Sequence, residues 1–80
     1  MLDQKVIHGF SFGSPNPLWE ATLLLIDASI EVEVSYALSK EQKGEDRAYH
    51  AGRAQALTDF KNILLQTRDT VLMDQGRPPE

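Results

Sequence analysis

The sequence predicts an all-α fold: an antiparallel two-helix hairpin with an extended N-terminal arm, assembling into a helical-bundle oligomer. Three observations carry that expectation. Helix-starting and helix-stopping residues divide the 80-residue chain into a short arm, two long helical stretches of nearly equal length and a brief tail. Opposite charges on the two stretches fall into one antiparallel register. The first stretch is apolar on two sides, and a single partner helix covers only one of them.

Residues 1–16 form the arm. Gly9, Gly13 and Pro15 disfavour helix there. Val6, Ile7, Phe10 and Phe12 nevertheless give it too much apolar surface for a solvated tail. Two readings stay open: the arm docks on a neighbouring subunit, or it folds back on its own hairpin. The first long helix begins at Asn16 and Pro17, a preferred N-cap followed by a residue suited to the first helical position. It is expected to run over 17–43, with Lys40 and Lys43 complementing the dipole and Gly44 as its C-cap. The second covers 45–74, with Glu45 and Asp46 in its first turn. Gly76 ends it, and Pro78 and Pro79 prevent a restart within the tail, 76–80.

Helical periodicity places Trp19, Leu23, Ile26, Ile30, Val34 and Ala37 on one stripe of the first helix. On the second it selects Tyr49, Gly52, Ala56, Phe60, Ile63, Thr67 and Val71. Folding about Lys43 and Gly44 pairs positions whose numbers sum to roughly 87. Ala37 then faces Tyr49, Ile26 faces Phe60, and Leu23 meets Ile63 and Leu64. The same register sets Glu20 against Arg68, Asp27 against Lys61 and Glu33 against Arg53. Exposed, each such pair is worth only about 0–1 kcal/mol, so the charges select orientation more than they stabilise. Gly52 costs about 1 kcal/mol within a helix relative to Ala. It belongs to a small-residue ridge with Ala48 and Ala56, which suits a close helix crossing; a notch for a ligand or a partner's side chain is the alternative.

The second stripe of the first helix comprises Leu18, Ala21, Leu25, Ala28, Val32 and Tyr36. Narrow polar lanes separate it from the first: Glu20, Asp27 and Glu31 on one flank, Thr22, Ser29, Glu33 and Lys40 on the other. A two-helix chain of this size buries too little surface for comfortable stability. Self-association through this stripe, aided by Phe10 and Phe12, is the economical answer, with a two-fold dimer as the default.

Composition narrows the function. Eight Lys and Arg against twelve Asp and Glu give a formal charge of −4, so non-specific nucleic-acid binding is not expected. The absence of cysteine removes disulfides and thiolate chemistry. The longest apolar run, residues 23–26, is far short of a membrane span. No apolar core with a cleavage site opens the chain, so no secretory leader is expected and the protein is read as intracellular.

Searches for chemistry end empty. Lys5 and Arg47 stand three residues before His8 and His50, so the Glu-x-x-His pairs of di-metal bundles are missing. Asp46 and His50 lie one helical turn apart without a further ligand. Glu31 and Glu33 point to different sides, unlike the clustered carboxylates of the all-α nucleotide pyrophosphatases. Ser29, Ser35 and Ser39 have no suitably placed histidine in the hairpin. The Gly9-Phe-Ser-Phe-Gly13 stretch lacks the Lys and the spacing of a phosphate loop. No enzyme, cofactor or metal is expected. His50, Arg53, Lys61 and Arg68 make a lightly basic lane. These residues pair with the first helix, or Tyr49, His50, Gly52 and Arg53 meet a small anionic ligand at a subunit interface.

Residues 49–60, Tyr-His-Ala-Gly-Arg-Ala-Gln-Ala-Leu-Thr-Asp-Phe, resemble a pattern in small proteins of tailed bacteriophages. Those are helical hairpins in which an acidic loop precedes a helix with an aromatic, a Gly-Arg pair and Ala-x-x-Leu spacing. The resemblance implies a phage or phage-like origin and a place in the host cytoplasm or the virion, without a defined activity. Proteins of this build include virion and assembly components, and also oligomeric inhibitors that sequester host immune nucleotides. The expected function is therefore a non-enzymatic oligomeric structural or adaptor protein, with other phage or host proteins as further partners. The alternative is a sponge for anionic ligands such as signalling nucleotides. A small regulator that masks a host protein is the third reading.

Overall fold

The computed structural model describes residues 2–39, 41 and 43–78. Lys40 and Pro79, to which the sequence assigns roles at helix ends, lie outside the described residues. The described chain is all-helical, with α1 spanning Gln4–Gly9, α2 Pro17–Leu38 and α3 Glu45–Asp74. Only α2 and α3 pack extensively on one another, as an antiparallel pair, and the chain as a whole measures 50 × 26 × 19 Å.

The arm differs from its expected extended form. Asp3 caps a short helix by accepting from the Lys5 amide at 2.7 Å, and Gly9 is its last residue. The Ser11 hydroxyl then donates to the carbonyls of Ile7 and His8, closing the end of the turn. The helix forms because an Asx cap and two apolar residues, Val6 and Ile7, precede the first glycine.

At the start of α2, the Asn16 side chain accepts from the Trp19 amide at 2.9 Å with Pro17 at the first helical position. The helix ends at Leu38, five residues before the expected 43. Ser39 causes the early stop. Its backbone is extended, its hydroxyl accepts from the Glu41 amide, and its carbonyl receives Arg47 Nη2 at 3.3 Å. A local serine bond thus competes successfully with continuation of the helix. Gly44, expected to cap the first long helix, instead precedes α3 as its N-cap with φ +52°. α3 ends in a Schellman turn, with Gly76 at φ +71°, its amide donating to Met73 and the Arg77 amide to Leu72.

The α2–α3 seam follows steps of four and three, the heptad spacing of knobs-into-holes packing. On α2 it comprises Trp19, Leu23, Ile26, Ile30, Glu33 and Ala37, all buried or half-buried. Glu33, 7% exposed, replaces the expected Val34, which is 41% exposed. On α3 the seam is His50, Ala54, Leu57, Lys61, Leu64, Arg68 and Val71. The expected α3 stripe is rotated out of it: Tyr49, Phe60 and Ile63 are each more than half exposed, and Gly52 and Ala56 also face solvent. The pairings of Ala37 with Tyr49, Ile26 with Phe60 and Leu23 with Ile63 therefore do not form the core. The rotation turns the cations of α3 towards the acids of α2, with their alkyl stems covering the seam. Lys61 Nζ reaches Asp27 at 2.7 Å and Arg53 Nε reaches Glu33 at 2.8 Å, both at the expected register. The third expected pair fails, because Arg68 turns from Glu20 towards the arm.

The small-residue ridge does not serve the hairpin crossing. A Cβ built on Gly52 meets nothing within 4 Å. Gly52→Ala is accordingly expected to stabilise the chain by about 0.5–1 kcal/mol through helix propensity. A thermal unfolding series should show a midpoint several degrees higher. A lower midpoint would mean that another backbone occupies the ridge.

Candidate functional site

Three features of the hairpin bear on function: a closed ion-pair cluster near the turn, a clasp on the arm at the opposite pole, and a broad apolar face between them.

The cluster centres on Glu33. His50 Nδ1 lies 2.6 Å from Oε2 and Arg53 Nε 2.8 Å from Oε1, so both carboxylate oxygens accept from α3. The Tyr36 ring stacks on the His50 imidazole at 4.9 Å, and the Tyr49 ring meets it edge-on at 5.2 Å. Arg53 Nη1 also donates to the Tyr49 hydroxyl at 2.9 Å. The structure thus brings Tyr49, His50 and Arg53 together as the sequence suggests, while Gly52 points away into open space. Yet Glu33 already occupies the place an anionic ligand would take. The bonds from His50 and Arg53 hold the Glu33 carboxyl below the usual carboxylate range, and the bonds to Glu33 and then Tyr49 hold the Arg53 guanidinium protonated more firmly.

A folded-state carboxylate pKa below its unfolded value gives stability that is present above the unfolded pKa. It is lost as pH falls through the folded one. Acid is therefore expected to destabilise the parent more than Glu33→Gln. Urea midpoints should differ near neutrality and converge once the pH drops below the ordinary carboxylate range; a difference that stays constant well below that range would contradict the assignment.

At the other pole the arm folds back on its own hairpin. Phe10 and Phe12, expected at an oligomer interface, pack on Trp19 of their own chain at 5.7 and 5.4 Å between ring centres. Two arginines hold the backbone that carries them. Arg68, 1% exposed, donates to the Phe10 carbonyl at 2.7 Å and sits 3.7 Å from the Phe12 ring centre. Arg77, aimed by the Schellman turn, donates to the carbonyls of Ser11 at 2.7 Å and Phe12 at 3.1 Å. Three successive carbonyls are thereby taken by charged donors. Between the arm and α2 lies a cavity of about 340 Å³ lined by Phe10, Phe12, Leu18, Trp19, Thr22 and Leu64, among others.

The apolar face is assembled from both long helices. Leu18, Ala21, Leu25, Ala28, Val32 and Tyr36 are exposed on α2. Tyr49, Ala56, Phe60 and Ile63 are exposed on α3. Antiparallel heptads place both sets on one flank of the seam, a placement that the shared contact of Tyr36 and Tyr49 with His50 supports. The α3 contribution is legible as a stripe in the sequence but is assigned there to the hairpin core. By the same spacing the charges along this flank are Arg53, already paired with Glu33, and Asp46 and Asp74 at its two ends, whereas Glu20, Asp27, Glu31 and Asp69 fall on the opposite flank. A second groove, of about 370 Å³, runs along that acidic side between residues such as Val34, Leu38, Ala51 and Thr58.

Among the described residues no group of three His, Cys, Asp or Glu could hold a metal ion, and no helix is long and apolar enough to cross a membrane. No family model, curated protein or solved structure matches this chain.

Proposed function

We propose that this chain is a non-enzymatic structural or adaptor protein that works as a self-associated helical hairpin, with the apolar face as its working surface. The supporting observation is the surface the lone chain leaves uncovered. It exposes 6029 Å², against about 4,900 Å² for a compact folded chain of its mass. Its radius of gyration is 16.1 Å, where about 12 Å is typical of this length. The excess area exceeds the roughly 800 Å² that one partner contributes to a standard interface. The chain carries a net charge of −4, which favours association where acids are fewest, along the middle of this face.

The Glu33 cluster supports the non-enzymatic half of this reading, because its donors and acceptors are spent on one another. The same closure weighs against a nucleotide sponge. The resemblance of residues 49–60 to tailed-phage hairpins suggests the setting, a particle or assembly component in the host cytoplasm or the virion.

Light scattering on a size-exclusion column tests the reading. The expected mass is a multiple of 9.0 kDa, first of all a dimer. A monomer at every concentration overturns self-association. Nucleotide binding that disappears in Arg53→Ala, at unchanged mass, would replace it with ligand capture.

A further inference from the structure

The two ends of the apolar face are unlike one another: one carries a cavity and the other a pair of half-exposed tyrosine rings packed on His50. The cavity lies at the Leu18 end, lined by Phe10, Phe12, Leu18 and Trp19. At the turn end, Tyr36 and Tyr49 are each about half exposed and flank His50. Between them run Leu25, Val32, Phe60 and Ile63, and the acids of this flank, Asp46 and Asp74, lie at its two ends.

A two-fold interface requires a self-complementary patch, in which each end of one copy meets the opposite end of the other. We propose that the face is covered by a second copy of this chain, turned about an axis near Ala28 and Phe60, and that each copy seats Tyr36 and Tyr49 in its partner's Trp19 cavity. This rests on the self-association reading and adds the partner's orientation and the residues it contributes.

Helix geometry fixes the register. Leu18 and Tyr36 are about 27 Å apart along α2 at 1.5 Å per residue, and their midpoint is close to Ala28. Rotation about that point carries Tyr36 to the level of the partner's Leu18. Phe60 lies at the same level on α3, so the two copies of Phe60 approach near the axis. A tyrosine is suited to the seat because its ring fills an apolar, aromatic-walled space while the hydroxyl stays at the rim. The area is sufficient, since the excess surface matches one partner's share of a stable interface.

The absence of cysteine and the presence of one tryptophan make the test direct. Trp19 is about 25 Å along α2 from its own Tyr36, so truncating that tyrosine alters Trp19 only across the interface. In Tyr36→Ala, at a concentration where light scattering still gives a dimer, Trp19 emission is expected to shift to the red. An unshifted dimer overturns the proposal. Single-cysteine variants joined by a short bismaleimide give a second readout that survives weakened association. Phe60→Cys is expected to link to itself, and Leu18→Cys to link to Tyr36→Cys in a mixture but not to itself. Self-linking of Leu18→Cys, or a failed mixture in a dimeric sample, overturns the geometry while leaving self-association standing. A monomeric parent chain overturns both.

Discussion

Replacing Arg68 with alanine is expected to cost about 3 kcal/mol, a large part of the stability of a chain this size. The side chain is 1% exposed, bonds the Phe10 carbonyl at 2.7 Å and stacks against Phe12. A hydrogen bond from a charged donor contributes about 1.5–3 kcal/mol, and a desolvated cation–aromatic contact about 2. Truncation also leaves a void beside Val71 and Leu72, which are equally buried. Loss of the clasp frees Phe10 and Phe12 from Trp19, so indole emission should report arm release before circular dichroism reports helix melting. Arg68→Lys keeps the charge but not the planar fork, and should recover only part of the loss. An Arg68→Ala chain with the parent's urea midpoint and Trp19 spectrum would mean that Arg77 and the aromatic contacts hold the arm without it.

The second large effect is expected at Leu25, which is 68% exposed in the single chain. Leu25→Asp removes no hairpin contact of consequence, so helicity and the Glu33 cluster should survive. In a two-fold assembly the substitution enters the interface twice. Each copy forfeits about 1.5–3 kcal/mol of side-chain burial and adds an acid that must be desolvated. A conservative total near 4 kcal/mol corresponds to about a 1,000-fold weaker dimer. Sedimentation equilibrium measures it directly. Glu31→Ala, on the opposite flank, should leave the mass unchanged. If Leu25→Asp associates like the parent, the working surface lies elsewhere.

Much of the hairpin is legible in the sequence because its punctuation is local. Asn16, Pro17 and Gly76 act through their own backbone, and α3 ends where such residues place it. The charge register is legible as well, since Asp27 with Lys61 and Glu33 with Arg53 depends only on helix spacing. The rotation of α3 is not. Sequence patterning assigns its largest apolar residues, Phe60 and Ile63, to the seam, but α3 has two faces and the seam takes the one whose cations can reach Glu33 and Asp27. Patterning cannot separate burial within one chain from burial reserved for another. Ser39 hides for a different reason: its hydroxyl takes the Glu41 amide through a local bond that leaves no mark on helical periodicity. Arg68 has a visible partner at the right spacing in Glu20, yet the arm's carbonyl competes from 58 residues away. No periodicity signals that contact.

The clasp has a topological consequence. Arg77 bonds residues 11 and 12, so the arm and the turn that follows α3 meet at one pole. A flexible Gly/Ser tether, gaining about 5–6 Å times the square root of its length, could join them with few residues. New termini could then be opened at the opposite pole, between Ser39 and Gly44. Such a circular permutant would keep both long helices intact and present whatever is fused to it from the turn instead of from the arm.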